Sequence, residues 1–370
     1  MRYMKPKLCY VLPRYETADA SHFSHIHDFL SKIGGIFDVY LIIEKGSKPP
    51  TSFGYTRAYV VKSKFIFFRI IETKMILLRA HLSGYKDFYV HYSFLSAFFA
   101  SIIVKVFGGR VFYWNCGEPW KYKRNFFRET FERLVYKIIT HLVTGAPSLA
   151  DEYARRYRIK RDSVLVMPNW IDLDRFKNTI SREDARIKLN IPQESKVVLF
   201  AHHLSQRKGS HMILPVAKKV TDSFPDTVFI VAGSGPDEKF LYDEVIRLGL
   251  NKNIRLVGAV ANRELPDYFI ASDIFFMPSE EEGFPRVLLE SMAIGIPFVA
   301  SDVGAVLDIT PAFMKQYVVS CGNKRVFVEK LDELMSKNKN EQNEISAKLI
   351  ESAMKYDVSV IALRFRELFL

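Results

Sequence analysis

Pro278-Ser279-Glu280-Glu281-Glu282-Gly283-Phe284-Pro285-Arg286-Val287-Leu288-Leu289-Glu290 decides how the rest of the chain is read. The apolar run Asp273 to Met277 before it reads as a short buried strand. A turn of carboxylates and glycine follows, and then a helix with Pro285 at its first position, where the missing N–H costs nothing. The helix continues through Ile294, and Gly295 and Pro297 end it. In open α/β sheets, a strand's carboxyl end feeding a helix start is where ligands bind, and free N–H groups there attract anions. Glu282 and Glu290 flank that point. A phosphate-bearing, hydroxyl-rich ligand suits both features.

Outward from this stretch, the second half repeats one plan. Lys196 to Ala201, Val228 to Ala232, Ile254 to Val257, Asp273 to Met277 and Phe298 to Ala300 are strand candidates. Helical patterns at Met212 to Phe224 and Phe240 to Leu248 separate some of them. The first half alternates in the same way. Leu8 to Leu12, Val39 to Ile43, Phe88 to His91, Val111 to Trp114 and Val164 to Met167 read as strands. Phe23, Ile26, Leu30 and Ile33 recur at helical spacing, with Gly34-Gly35 as the expected stop. Such βα alternation predicts an α/β chain with two doubly wound parallel sheets. The expected division is residues 1–172, residues 173–357, and a terminal helix over 358–370 that crosses back to the first domain.

The net charge of +12 lies wholly in the first half, where 27 Lys/Arg face 13 Asp/Glu up to Trp170. That asymmetry points to an anionic partner for the first half. No nucleic-acid-binding motif is present, so nucleic acid ranks last. Cys9, Cys116 and Cys321 are far apart, which suits a reduced, cytoplasmic compartment. Met1 to Pro13 lacks the apolar core of a signal peptide. The longest uncharged run, Phe88 to Val104, is too short to span a bilayer and divides into a strand and a helix. Of His22, His25 and His27, positions 25 and 27 do not share a helix face, no Cys or carboxylate cluster adjoins them, and no metal site is expected.

Several blocks together resemble the retaining GT-B glycosyltransferases of family 4. Glu282 and Glu290 match the family's E-x7-E, and Ser291-Met292-Ala293-Ile294-Gly295-Ile296-Pro297 completes its E-A-M-A-x-G-x-P block. Lys208-Gly209 resembles its K-G, and Val231-Ala232-Gly233-Ser234-Gly235-Pro236 its G-x-G-P turn. Gly258 resembles its strand-end glycine, and Val166-Met167-Pro168-Asn169-Trp170-Ile171-Asp172 its interdomain segment. The match covers the second half; in the first half it rests on topology. The resemblance implies a GT-B architecture, two Rossmann-like domains facing across a cleft, with the donor on the second domain and the acceptor on the first. It also implies retention of anomeric configuration without a catalytic metal or cofactor, the donor being a UDP- or GDP-sugar.

Site residues follow from that match. Glu282 lies at the donor sugar and Glu290 at the ribose, a diol that a carboxylate can bind through two hydrogen bonds. Lys208, Gly233, Gly235, Gly258, Gly283, Phe284 and Pro285 are the other donor-binding positions. Two departures stand out. The family's diphosphate-binding arginine falls on His203, or on His202 under a different loop gap, with Arg207 as a possible substitute. The family's active-site histidine position reads Tyr113-Trp114-Asn115-Cys116-Gly117-Glu118, and the loop Pro13 to Ser21 contains no glycine. Asn115, Glu118 and His91 are therefore the catalytic candidates of the first half.

Lys62 to Arg79 interleaves Lys62, Lys64, Arg69, Lys74 and Arg79 with Phe65, Ile66, Phe67, Phe68, Ile70 and Leu77. Trp120 to Lys137 sets Lys121, Lys123, Arg124, Arg128 and Arg133 beside Phe126, Phe127 and Phe131. Such stretches suit an anionic bilayer surface. The expectation is a cytoplasmic glycosyltransferase, peripheral at the inner face of the membrane, acting on a lipid-linked or glycan acceptor. Two alternatives stay open: a catalytically silent GT-B subunit that binds nucleotide sugar or lipid, and a GT-B sugar-nucleotide 2-epimerase.

Overall fold

A computed structural model of the protein describes residues 5–16, 26–176 and 180–370. The chain divides into two compact units: residues up to Asn169 together with Val358–Leu370, and Trp170–Asp357. The expected boundary after residue 172 moves back three positions. Trp170 and Ile171 are fully buried, Ile171 bridges Asp357, and Arg286 Nε donates to the Trp170 carbonyl at 3.2 Å. These contacts attach the 170–172 segment to the second unit.

The first unit has seven strands, β1 (Lys7–Leu12), β2 (Asp38–Ile43), β3 (Arg57–Val60), β4 (Asp87–His91), β5 (Arg110–Trp114), β6 (His141–Thr144) and β7 (Val164–Val166), in the order β3-β2-β1-β4-β5-β6-β7. The second has six, β8 (Val197–Ala201), β9 (Val228–Ala232), β10 (Ile254–Gly258), β11 (Ile274–Met277), β12 (Phe298–Ser301) and β13 (Val318–Val319), in the order β10-β9-β8-β11-β12-β13. Every pair is parallel. Both sheets are doubly wound, with their switch points between β1 and β4 and between β8 and β11. The central strands are buried on both faces, which is why they read as continuous apolar runs.

The Gly34-Gly35 pair does not end its helix, which spans Ile26–Ile36. A Cβ on Gly34 would lie 2.3 Å from the Gly54 carbonyl oxygen. Gly34 thus serves close approach of a neighbouring turn rather than termination. Phe23, His22 and His25 lie outside the described residues; His27 sits beside Asp28 at 3.2 Å. Among the described residues, no cluster of three metal-ligating side chains occurs.

In the first unit the helix Ile66–Leu82 packs on Phe94–Phe107, which packs in turn on Phe126–Ile138. In parallel βα units each helix starts at the carboxyl edge of the sheet. Phe65 to Phe68, 60–77% exposed, and Phe126 and Phe127, 76% and 82% exposed, sit at such helix starts. The lead-in to the second tip is fixed by a buried ion pair, Arg124 with Glu132, and by Arg124 bonding to the Pro119 carbonyl. Arg124 is therefore not a free surface cation. Arg69 bonds to the Glu44 carbonyl, Lys121 pairs with Glu118 at 2.8 Å, and Arg133 pairs with Glu129 at 2.8 Å. No described helix is long and apolar enough to cross a membrane.

Candidate functional site

The quoted stretch follows β11, at the switch point of the second sheet, and faces the segment that follows β8. Its helix spans Arg286–Ile294, so Pro285 is the residue before the first turn, with extended backbone, and not the first helical residue. No side chain of the N-cap residue caps that start, and an uncapped helix start of this kind suits an anion. Gly295 closes the far end in the left-handed conformation, φ 80°.

Before the helix lies a buried polar cluster. Glu282 Oε1 accepts from Lys208 Nζ at 2.7 Å, His202 Nε2 at 2.9 Å and Ser279 Oγ at 2.8 Å. Glu282 and Lys208 are 6% and 7% exposed. Burial pushes the Glu282 carboxyl up, but the His202 hydrogen bond and the Lys208 ammonium more than reverse it and hold the group well below its ordinary range. Burial outweighs Glu282 at His202 and lowers the imidazole pKa. His202 is thus neutral near pH 7. A carboxylate has no proton to give, so Nε2 carries the hydrogen and Nδ1 is the acceptor.

Backbone close approach builds this cluster. Lys208 ends a single 3₁₀ turn, and Gly209, φ 75°, follows. A Cβ there would lie 2.1 Å from the Pro278 carbonyl oxygen, so only glycine lets the turn close on the β11 loop. Gly233, φ 146°, would place a Cβ 1.9 Å from the His202 carbonyl oxygen, and Gly235 would place one 2.3 Å from that of Leu204. Both glycines therefore seat the β8 loop against the β9 loop. Gly258, φ 71°, has open space around it, and its carbonyl accepts from Gly233 N at 2.7 Å.

Other expected residues sort differently. His203 is exposed, whereas His202 points into the cluster, so of the two candidate positions the structure brings His202 to Glu282. Arg207 lies half-exposed, 3.6 Å from the buried Glu281. The Gly283 carbonyl accepts from Ala305 N at 2.8 Å, and the Phe284 ring packs edge-on against Tyr356. Glu290 is half-buried near Arg286 and Arg175; burial raises its pKa against their pull. Among the described residues no hydrogen bond to its carboxylate is formed. Sequence reasoning missed Gly304, φ 54°, whose Cβ would lie 2.0 Å from the Glu282 carbonyl oxygen. Only three-dimensional proximity singles it out.

The first unit offers less. His91 is buried among the rings of Tyr10, Tyr89, Tyr92 and Trp114, and burial pushes its pKa down to about 3. Neither ring nitrogen has a partner among the described residues. It is a core histidine, not an accessible base. Asn115 is buried with its amide engaged: Nδ2 donates to Tyr136 Oη at 3.0 Å, and Oδ1 accepts from Gly117 N at 3.1 Å. Glu118 is buried against Lys121. At this sheet's switch point the helix start also differs. Ser93 caps Phe94–Phe107, and the hydroxyls of Ser93 and Ser96 bond to Glu44. The protein's own carboxylate fills the place of an anion there, so the uncapped start at Arg286 is the better anion site.

Residues 181–355, nearly all of the second unit, match the family Glycosyl transferases group 1. The D-inositol 3-phosphate glycosyltransferase of Streptomyces avermitilis is 30% identical over 188 residues, 47% of this chain and 40% of that protein. The chain thus spans less than half the length of this curated relative. Among solved structures, Anabaena HepE in complex with UDP superposes with TM-score 0.80 at 15% identity, covering 98% of this chain and 99% of that one. A glycosyltransferase from Rickettsia africae superposes with TM-score 0.81 at 15% identity, covering 99% and 98%. The fold is GT-B.

Proposed function

We propose that the protein is a glycosyltransferase that moves a sugar from a nucleotide-sugar donor, held by the second unit, to a lipid-linked or glycan acceptor. The observation that carries this reading is the Glu282–Lys208–His202 cluster beside the uncapped start of Arg286–Ile294, inside the segment matching Glycosyl transferases group 1. A UDP- or GDP-sugar meets the helix start with its diphosphate, Glu290 with its ribose and Glu282 with its sugar. Stabilising the departing diphosphate is the main catalytic demand, and fixed N–H groups in a dry site meet it well. No side chain is assigned as a nucleophile. Retention and independence of metal follow only from the family resemblance. Incubating the purified chain with UDP-, GDP- and dTDP-sugars and membrane extract should release nucleoside diphosphate; no release from any of them rejects the reading.

A catalytically silent subunit is the second reading, favoured by the engaged amide of Asn115 and the sealed His91. It predicts nucleotide-sugar binding without turnover in the same assay.

The acceptor side fits the cytoplasmic face of a membrane. The phenylalanine tips at 65–68 and 126–127 both lie at the carboxyl edge of the first sheet, beside Lys62, Lys64 and Lys123. Each inserted phenylalanine contributes about 1.5–3 kcal/mol, and each lysine about 1 kcal/mol against anionic lipid. The chain should float with anionic vesicles and not with neutral ones. Phe67→Glu with Phe127→Glu should cut the floated fraction by about tenfold or more. Equal flotation on both lipids removes the basis for this placement.

A further inference from the structure

We propose that His202 is the residue that completes the positive charge around a bound diphosphate, taking up a proton as the nucleotide sugar enters. The inference rests on the reading of the second unit as the nucleotide-sugar site. It starts from charge balance. Glu282 is ionised and Lys208 is its counterion at 2.7 Å, so the pair is neutral before any ligand arrives. Arg207, another nearby cation, is half-exposed and faces Glu281 at 3.6 Å, while Arg286 and Arg175 face Glu290. The uncapped helix start at Arg286 contributes about half a positive charge. A sugar-linked diphosphate carries two negative charges. The site as it stands is short of positive charge, and His202 is the titratable group within it that can make up the deficit.

The geometry suits that task. His202 Nε2–H is directed at Glu282 Oε1, 2.9 Å away, which fixes the ring. Among the described residues, nothing bonds to Nδ1, and the ring is not sealed from solvent: 19% of its side chain is exposed. A proton from solvent forms the new N–H bond at Nδ1. The imidazolium then donates to Glu282 on one side and to a diphosphate oxygen on the other, and no other bond changes. The charges around the ring are unequal. Glu282, from the β11 loop, favours the cation; Lys208 and Arg207, from the turn after β8, oppose it. The Gly233-Ser234-Gly235 turn, pressed against the His202 carbonyl, brings no charge. Without ligand, burial keeps the ring neutral. A dianion at hydrogen-bond distance reverses that balance. An arginine in this place would be charged at every pH and show no such linkage.

The experiment is isothermal titration calorimetry of the full chain with UDP-, GDP- and dTDP-glucose. These diesters lack the phosphomonoester titration near about pH 6 that would obscure the result. Measured near about pH 8 in two buffers of different ionisation enthalpy, binding should take up a net fraction of a proton, and Kd should tighten by up to about tenfold per unit as pH falls toward about 6. His202→Arg should bind more tightly at the higher pH and lose the pH dependence; His202→Gln should lose it while staying weak. The proton count on the unmodified chain stands even if a variant fails to fold. A constant Kd with no proton uptake overturns the proposal. Absence of binding by every nucleotide sugar at both pH values overturns instead the donor-site reading beneath it.

Discussion

Replacing Lys208 by Met should destabilise the protein by about 3–5 kcal/mol, the range for removing one partner of a buried ion pair. The carboxylate of Glu282 would stay buried, with only the hydrogen bonds from His202 and Ser279 to hold its charge. The methionine replaces the lysine stem almost atom for atom, so packing changes little and the loss reports electrostatics. Adding Glu282→Gln should recover most of it, because the double variant no longer buries a charge. Acid should separate the variants further. The Glu282 pKa lies below its ordinary value of 4.5. Its stabilisation is therefore complete above that value and is lost as pH falls through the lower, folded one. In Lys208→Met the carboxyl pKa rises, so part of the deficit should vanish between neutral pH and about pH 4. Urea melts at both pH values measure this. A neutral-pH loss below about 1 kcal/mol would falsify the buried-pair account, since exposed pairs are worth no more than that. Donor binding should fall with Lys208→Met and stay low in the double variant, separating the folding role of the pair from its ligand role.

How far the sequence reveals this site depends on which physical signal each residue leaves. Central strands such as β1, β4, β8 and β9 are buried on both faces, and their apolar runs are unmistakable. The strands passed over are those without that signal. Edge strand β3 begins with the exposed Arg57 and is only half-buried beyond it; β6 is four residues long and starts shortly after a helix; β13 is two residues. Gly34-Gly35 misleads because a helix stop and a close approach both call for glycine. Glu282 and Lys208 are legible through their spacing and neighbours. The choice between His202 and His203 is not, because a loop gap of one residue has no compositional trace. Gly304 and Glu281 are similar cases: their positions depend on which loops meet, and loops from different strands meet only after both sheets have formed.

Phe365→Ala should be the second large effect, costing about 3–5 kcal/mol as a large-to-small core substitution. The helix Val358–Glu367 lies at the end of the chain yet packs on Ile26–Ile36 of the first unit. Phe365 is fully buried there, with its ring 4.8 Å from Tyr89, 5.2 Å from Phe29 and 5.7 Å from Phe37. Phe369 continues the contact, 4.5 Å from Phe112 and 5.4 Å from Phe37. Arg110, bonded to Asp87 through two nitrogens at 2.9 Å, also donates to the Phe369 carbonyl at 2.8 Å. The chain's last residues thus complete the core of its first unit. Aromatic pairs add about 0.5–1.5 kcal/mol each beyond area, which places the expected loss toward the top of the range. It should also be local. Hydrogen exchange should speed up in β1, β4 and Ile26–Ile36, while β8, β9 and β11 keep their protection. Phe365→Leu, which retains most of the apolar volume, should lose much less. If Phe365→Ala costs under about 1 kcal/mol, the helix rests on the unit as a surface element. A loss of the expected size, confined to the first unit, would mean that a chain ending at Asp357 keeps the Glu282–Lys208–His202 cluster and lacks a complete core for the first unit.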